Sequence, residues 1–305
     1  MPEITARSLA KAILPRTFRR LLRGCLHYTQ RVGRWPIILW QVRGVTWSDQ
    51  WILCWSALAA PFLSFERLLE WQDPILLADV QVSVCGVGEF FVRARCDDLY
   101  HVLPWRERAL VVAIRKHLKK GDTFVDAGAN IGFYTVLASH IVGEFGKVIA
   151  VEMMPDTAFM LRRHLALNQV NNVTVIEQAL SDKAGQTTSA RVIEGHYGQA
   201  SIALGVQTAM CEKGNVREDL VKTVTLFEVL NGIAYVAMMK MDLEGVEYEA
   251  LQGAGKALSK IDVIVFEQWE ADEKEKSVSR YLHDAGFIVS AIDGRNKIAV
   301  KKQSK

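Results

Sequence analysis

Residues 123–134 read Thr-Phe-Val-Asp-Ala-Gly-Ala-Asn-Ile-Gly-Phe-Tyr, TFVDAGANIGFY. The apolar burst Phe124-Val125 ends in Asp126. Gly128, Asn130 and Gly132 follow at alternate positions before apolar residues resume at helical spacing. Such a run predicts a strand that breaks into a glycine loop and then a helix. Glycine permits positive φ and lets a ligand lie against bare backbone, and the new helix offers unpaired N–H groups. A dinucleotide fingerprint would read G-x-G-x-x-G with phosphates on the helix end. Here the run is D-x-G-x-N-x-G, and an acid at the strand tip repels phosphate while accepting a hydrogen bond from an ammonium group. The amino-acid end of S-adenosylmethionine carries such a group.

The flanking sequence supplies the rest of an α/β unit. Before the loop, Leu110, Val111, Ile114 and Leu118 recur at helical spacing between Arg106 and Lys119, and Lys-Lys-Gly closes that helix. After it, GKVIAVE forms a second buried strand ending at Glu152, 20 residues beyond Gly132. That is the distance at which an acid grips ribose hydroxyls in nucleotide-binding folds. His164 and Asn168 fall on the next helix, in solvated or capping roles. VTVIEQALSD is a third strand, and its end at Gln178, Ala179 and Leu180 is suited to flank an adenine. Residues 183–222 lose regular periodicity around GHYGQAS, which predicts a substrate-facing loop or hairpin with His196 as a polar loop residue.

AYVAMMKMDLEGVE, residues 234–247, is the second informative run. An apolar fourth strand ends in Lys240, Asp242 and Glu244, and residues two apart share one side of an extended strand. Charges at the carboxyl end of a buried strand lie where open α/β sheets bind ligands; the structural alternative is a lysine pairing two acids at a helix start. A fifth strand, IDVIVFE, ends at Glu267. The late runs GFIVSAI and KIAV lie too close for an intervening helix, so they predict an antiparallel pair at the sheet edge.

The amino-terminal quarter differs in character. Of 305 residues, the first 47 hold nine Lys/Arg and one acid, Glu3, leaving 28 basic and 33 acidic residues beyond, so the net +3 divides into about +8 and −5. In PRTFRRLLRGC, Leu14, Phe18, Leu21, Leu22 and Cys25 cluster on one helical face with Arg16, Arg19, Arg20 and Arg23 opposite. This basic amphipathic helix suits an anionic membrane surface, and equally a cap on its own domain with the arginines in water. Between Trp35 and Phe65 only Arg43 and Asp49 are charged, and Trp35, Trp40, Trp47, Trp51 and Trp55 fall there. The charge-free piece from Trp51 to Phe65, 15 residues, is shorter than a membrane span. Packing against the body is the expectation, with peripheral membrane contact the alternative. A helix-like stretch from Phe65 to Trp71 and a β-hairpin over 77–96 follow. Five scattered cysteines without a C-x-x-C pair imply a reducing compartment and no structural zinc. Arginines interrupting the start exclude a secretory signal, so the expected location is cytoplasmic, with membrane association possible through the extension.

With these residues on the page, 77–300 resembles the FkbM family of S-adenosylmethionine-dependent methyltransferases. The carrying pieces are GDTFVDAGANIGFYT, VIAVE, HLALNQVNNVTVIEQALSD, KMDLEGVEYEALQGAGKAL and IDVIVFE. The resemblance implies an α/β fold: a Rossmann-like seven-stranded class I methyltransferase sheet with an antiparallel seventh strand. It further implies methyl transfer to a hydroxyl of a sugar or small metabolite. To this the sequence adds a helical extension over 1–76 and a hairpin at the start of a 77–305 catalytic domain, whose core spans 106–300. One departure is visible. The family tends to a leucine–aspartate pair before the fourth strand, where TVTLFEVL has Phe227 and Glu228.

For the cofactor, S-adenosylmethionine, the expected contacts are Asp126 and Asn130 at the methionine end, with Gly128, Ala129 and Gly132 in the loop. Glu152 and Met153 are expected at the ribose, and Gln178 with Ala179 at the adenine. Asp242 is expected to act as general base or to orient the acceptor, assisted by Glu244, with Lys240 or Glu267 tuning it. No metal is expected, although paired acids can hold Mg²⁺. The expected partner is a small-molecule or glycan substrate. Nucleic acid is disfavoured, because no aromatic-plus-basic run continues from the arginine-rich start. An NAD-linked enzyme and a catalytically inactive membrane-bound scaffold are the other rival classes; the oligomeric state stays open.

Overall fold

Apolar runs buried on both sides become the inner strands of one large sheet, and the order of those strands creates the crevice where the charged tips meet. The computed structural model describes residues 16–66, 74–211, 215–267 and 277–302. Helices α1 (Arg16–Gly33), α2 (Trp35–Gln41) and α3 (Trp47–Glu66), with strand β1 (Val42–Gly44) before α3, make up the amino-terminal extension. The expected hairpin is β2 (Val80–Val84) and β3 (Gly88–Val92). β1 pairs antiparallel with β2, so backbone hydrogen bonds cross the boundary drawn at residue 76. Most of the helix-like stretch expected over 65–71 lies outside the described residues.

Short helix α4 (Asp98–His101) and α5 (Arg108–His117) lead into β4 (Thr123–Ala127). The chain then winds one way through α6 (Phe133–Val142), β5 (Lys147–Val151), α7 (Pro155–Leu167) and β6 (Val173–Ile176). An insertion follows: β7 (Ala179–Leu180), β8 (Thr187–Ile193), α8 (Leu204–Cys211) and β9 (Val216–Val224). After α9 (Leu226–Val229), β10 (Val236–Met241) returns to the far side of β4. The chain continues through α10 (Glu247–Gln252), β11 (Ile261–Glu267), α11 (Val278–Asp284), β12 (Phe287–Ala291) and β13 (Asn296–Lys301).

The seven-stranded sheet has the order β12-β13-β11-β10-β4-β5-β6. Pairings from β6 to β11 are parallel; β13 runs antiparallel to both its neighbours. The predicted late pair is therefore present, with β13 inserted between β11 and the edge strand β12. Along β4 and β5, Phe124, Val148 and Ala150 enter one core while Val125, Ile149 and Val151 enter the other. Both layers are apolar, which is why these strands read as continuous hydrophobic runs and not as alternating ones. Trimming Phe124, fully buried, to alanine would cost about 3–5 kcal/mol.

The 183–222 segment is more regular than its sequence suggests. β8 and β9 pair antiparallel over their lengths, β9 extends β7 in parallel, and α8 sits in the connection. Cross-strand partners, not periodicity, fix these strands, because both alternate half-exposed positions with polar ones.

His164 corrects the expectation of a solvated or capping role, whereas Asn168 does cap α7, its Nδ2 donating to the His164 carbonyl at 2.8 Å. His164 on α7 is fully buried, with Nδ1 2.6 Å from the carbonyl of Ile131 and Nε2 3.0 Å from the amide of Phe91. Donation from Nδ1 leaves Nε2 as the acceptor for that N–H, which defines the tautomer. Burial lowers the imidazole pKa accordingly. Asn168 accepts from the Glu89 amide at 2.7 Å and donates to its carbonyl at 2.7 Å. Two side chains of α7 thus take up the free backbone groups of β3 and stitch the hairpin to the catalytic body.

The tryptophans of the extension do not follow the packing expectation. Trp35 is buried at 3%, whereas Trp40, Trp47, Trp51 and Trp55 are exposed. Leu21, Leu22 and Leu26 of α1 are exposed as well, so these three do not cap the domain, while Leu14 lies outside the described residues.

Candidate active site

The strand order reverses between β4 and β10, and at such a switch point the carboxyl ends of the two strands open a crevice. Register places Lys240 directly opposite Asp126. Lys240 Nζ donates to the carbonyl of Gly128 at 2.6 Å and lies 3.5 Å from Asp126 and 3.6 Å from Asp242. Asp126 also accepts from the Thr135 hydroxyl at 2.6 Å. Both Asp126 and Lys240 are buried. Burial pushes the Asp126 carboxyl up, opposed by Lys240, while the two aspartates raise the Lys240 ammonium against its own burial. Lys240 therefore ties three strand-tip groups together from behind the cavity wall. It positions Asp242; it lines neither cavity, and neither does Asp126. Asp126, expected at the methionine end of the cofactor, is held inward by its buried pairing with Lys240.

A narrow slot of about 50 Å³ collects Gly128, Asn130, Glu152, Met153, Gln178 and Ala179, from the ends of β4, β5 and β6. Glu152 is almost wholly buried. Its two oxygens accept from the amides of Asn130 at 2.8 Å and Met154 at 2.9 Å, so the carboxylate clamps the glycine loop to the second strand. Burial raises its pKa, with these N–H groups opposing. The glycines answer to the protein's own packing. A Cβ on Gly128 (φ 75°) would stand 1.9 Å from the carbonyl of Asp242, and one on Gly132 (φ 92°) would meet Leu161 at 2.3 Å. Ala129 is buried, and neither it nor Gly132 lines the slot. A backbone cradle, a carboxylate at the second strand tip and an amide side chain at the third match an adenosine with an amino-acid tail in chemistry, though the slot is narrower than that molecule.

The slot is covered by the turn Tyr197–Gln199. Asp97 accepts from the amides of Tyr197 at 3.1 Å and Gly198 at 2.9 Å, and His101 Nε2 lies 3.1 Å from the same carboxylate. His101 Nδ1 faces the Arg106 guanidinium. Arg106 donates to Glu107 at 2.6 Å, and the Tyr134 hydroxyl donates to that same carboxylate. Against burial, Arg106 and these donors hold Glu107 down at about 2. The helix expected from Arg106 begins at Arg108; Trp105, Arg106 and Glu107 belong to the preceding loop and border the cleft. Its only sequence signal is two adjacent opposite charges after Trp105.

Beyond the slot lies a cleft of about 2070 Å³, bordered by Tyr100, His101, Arg106, Gln199, Gln207 and Arg295 among others. Asp242, Glu244 and Val246 line both spaces, so they mark the junction. Asp242, Glu244 and Glu267 bring carboxylate oxygens within 4.8 Å of one another. The strand ends at Met241, and the turn, with Glu244 at φ 51° and Gly245 at φ 102°, keeps the acids together. Glu247, unremarked in the sequence, organises the turn: its buried carboxylate accepts from the amides of Leu243 at 2.9 Å and Gly245 at 3.1 Å. Burial and the neighbouring carboxylates push Glu244 up to about 9, and burial and Asp242 push Glu267 up to about 7. Asp242 Oδ1 is buried without a hydrogen-bond partner among the described residues. The departure at Phe227 lies outside this site. Thr225 and Glu228 form a capping box for α9, and neither Phe227 nor Glu228 lines either cavity.

Strand order, crevice and donor set define a class I methyltransferase that uses S-adenosylmethionine. The Methyltransferase FkbM domain model matches residues 126–289, more than half of the chain, and the chain belongs to this family. It is 27% identical over 199 residues to Methyltransferase sdnD of Sordaria araneosa, covering 57% of this chain and 76% of that one. It is 36% identical over 59 residues to Protein-L-isoaspartate O-methyltransferase 2 of Archaeoglobus fulgidus, covering 19% of this chain and 27% of the relative. Among solved structures, the precorrin-6y C5,15-methyltransferase of Geobacter metallireducens GS-15 aligns with TM-score 0.39 at 17% identity, covering 64% of this chain and 87% of that one. A SAM dependent methyltransferase from Aquifex aeolicus aligns with TM-score 0.38 at 16% identity, covering 66% of this chain and 93% of that one.

Proposed function

We propose that the enzyme O-methylates a hydroxyl on a sugar, glycolipid or small metabolite, with Asp242 as the general base. The observation that carries this reading is the position of Asp242: it borders both the slot and the cleft, with a cation 3.6 Å from one oxygen and the other oxygen unpartnered. The slot residues Gly128, Asn130, Glu152, Met153, Gln178 and Ala179 would hold S-adenosylmethionine, which supplies an activated methyl group there. Asp242 takes the proton of the acceptor hydroxyl as its oxygen becomes nucleophilic. Glu244, protonated at neutral pH by its raised pKa, donates a hydrogen bond that orients the same oxygen. Lys240 fixes the Asp242 carboxylate, and the Arg106–Glu107–Tyr134 network holds the wall facing it.

The cleft suits a polyhydroxyl acceptor, since its lining mixes amide, imidazole and guanidinium donors with carboxylate acceptors. RNA fits less well. Asp242, Glu244, Glu247 and Glu267 converge where a phosphate backbone would have to approach. The free cysteines Cys25, Cys54, Cys85 and Cys96 suit a reducing cytoplasmic compartment. The test is incubation of the enzyme with labelled methyl donor and separated glycan, lipid, metabolite and RNA fractions. Label in an alkali-stable ether on a glycan, lipid or metabolite is expected; label confined to RNA or to nitrogen atoms would overturn the proposal.

A further inference from the structure

On α3, Trp47, Trp51, Trp55, Leu58 and Phe62 recur every three or four residues, so they share one helical face. They are 84%, 61%, 58%, 65% and 76% exposed, while Leu53, Ser56 and Ala60 on the other side are buried against the body. The stripe does not stand alone. Trp40 of α2 is 74% exposed, and the exposed Leu21, Leu22 and Leu26 belong to α1, which packs beside α3. A contiguous apolar surface of this kind is uncommon on a soluble protein without a binding role.

We propose that this α1–α3 surface is a docking face for an anionic lipid bilayer. Residue type and charge select the occupant. Tryptophan favours the bilayer interface, where an apolar ring body meets a hydrogen-bonding edge in the headgroup region. By sequence the first 47 residues carry about +8 against about −5 beyond them; Arg31 is buried, but Arg43 lies exposed between Trp40 and Trp47. A second copy docked through the same face would oppose two such basic blocks, because a two-fold interface is self-complementary. An anionic leaflet satisfies both the rings and the charge. Among the described residues no helix is long and apolar enough to cross a membrane, so the mode is lying on the surface. Gln30 of α1 and Arg34, which links it to α2, also border the large cleft, so docking brings the cleft's lip against the bilayer. This inference stands on the extension alone and does not depend on the acceptor proposed above.

The experiment is co-sedimentation of the full chain with vesicles of phosphatidylcholine, alone and mixed with phosphatidylglycerol, alongside light scattering of the protein in solution. Binding to the mixed vesicles, reversed by salt, with tryptophan fluorescence quenched by brominated acyl chains, is expected. The double variant Trp51→Ser/Trp55→Ser should partition about tenfold less or weaker. Its calorimetric S-adenosylhomocysteine affinity should match wild type, which separates a docking defect from misfolding. Equal binding to neutral vesicles, no binding to either, or unchanged partitioning of the double variant would overturn the proposal. A solution mass of two chains that reverts to one in the variant would also overturn it, in favour of a second copy as the occupant.

Discussion

Lys240 lies in register opposite Asp126, and its ammonium donates to the carbonyl of Gly128 while standing between Asp126 and Asp242. One buried cation thereby fixes the first and fourth strand tips relative to each other. Removing it leaves Asp126 buried and unpaired, so Lys240→Met should destabilise the fold by about 3–5 kcal/mol. The double change Lys240→Met/Asp126→Asn should recover part of that loss. Urea unfolding of the three proteins checks both statements.

Asp242→Asn keeps the shape of the junction but removes the proton acceptor. We expect kcat to fall by about 10²–10⁴-fold with S-adenosylhomocysteine affinity unchanged by calorimetry. Equal turnover would remove Asp242 from the proton transfer.

Glu152→Ala should act on the other step. Its carboxylate holds the amides of Asn130 and Met154, so the loop that borders the slot loses its clamp. A drop of about tenfold or more in S-adenosylhomocysteine affinity is expected.

The acid cluster sets a pH dependence. Glu247 and Glu267 are raised to about 7 and Glu244 to about 9 from an ordinary value of 4.5. Groups raised in the folded state contribute stability that is present below their unfolded pKa and lost as pH rises through the folded one. Stability from these three should therefore decline from above pH 4.5 to about 9, and Glu244→Gln should flatten the upper part of that decline. Thermal melts across this range would show it.

Activity should survive a chelator. Asp242, Glu244 and Glu267 offer an all-oxygen trio suited to a hard divalent cation. With Glu244 holding a proton at neutral pH, the trio is poorly charged for one. Turnover lost in EDTA and restored by Mg²⁺ would contradict this.

The glycine loop, the acid 20 residues beyond it and the Lys-Asp-Glu run were legible because each is local: a strand tip, a turn and a charge within a few residues. The seven-stranded sheet with its antiparallel strand was implied by the family resemblance; the strands themselves implied only the antiparallel late pair. What the sequence did not reveal depends on contacts far apart in the chain. The inward turn of Asp126 requires Lys240, 114 residues later. The burial of His164 requires the backbone of β3, and the role of Arg106 requires partners on α4 and α6. The β8–β9 pair escaped periodicity because half-exposed strands on a small sheet alternate weakly. Glu247 was passed over because a buried carboxylate that gathers amides looks, in sequence, like one more surface acid.

Part of the large cleft is walled by the β8–α8 portion of the insertion between β6 and β10, and part by the loop that precedes α5 and the sheet. Recolouring α8 or the loop before α5 would reshape the cleft while leaving the slot's own lining in place, whereas the turn Tyr197–Gln199 borders both spaces. Acceptor choice and donor chemistry are thus separable by design of the chain's connectivity, and descendants of this scaffold can diverge in one while keeping the other.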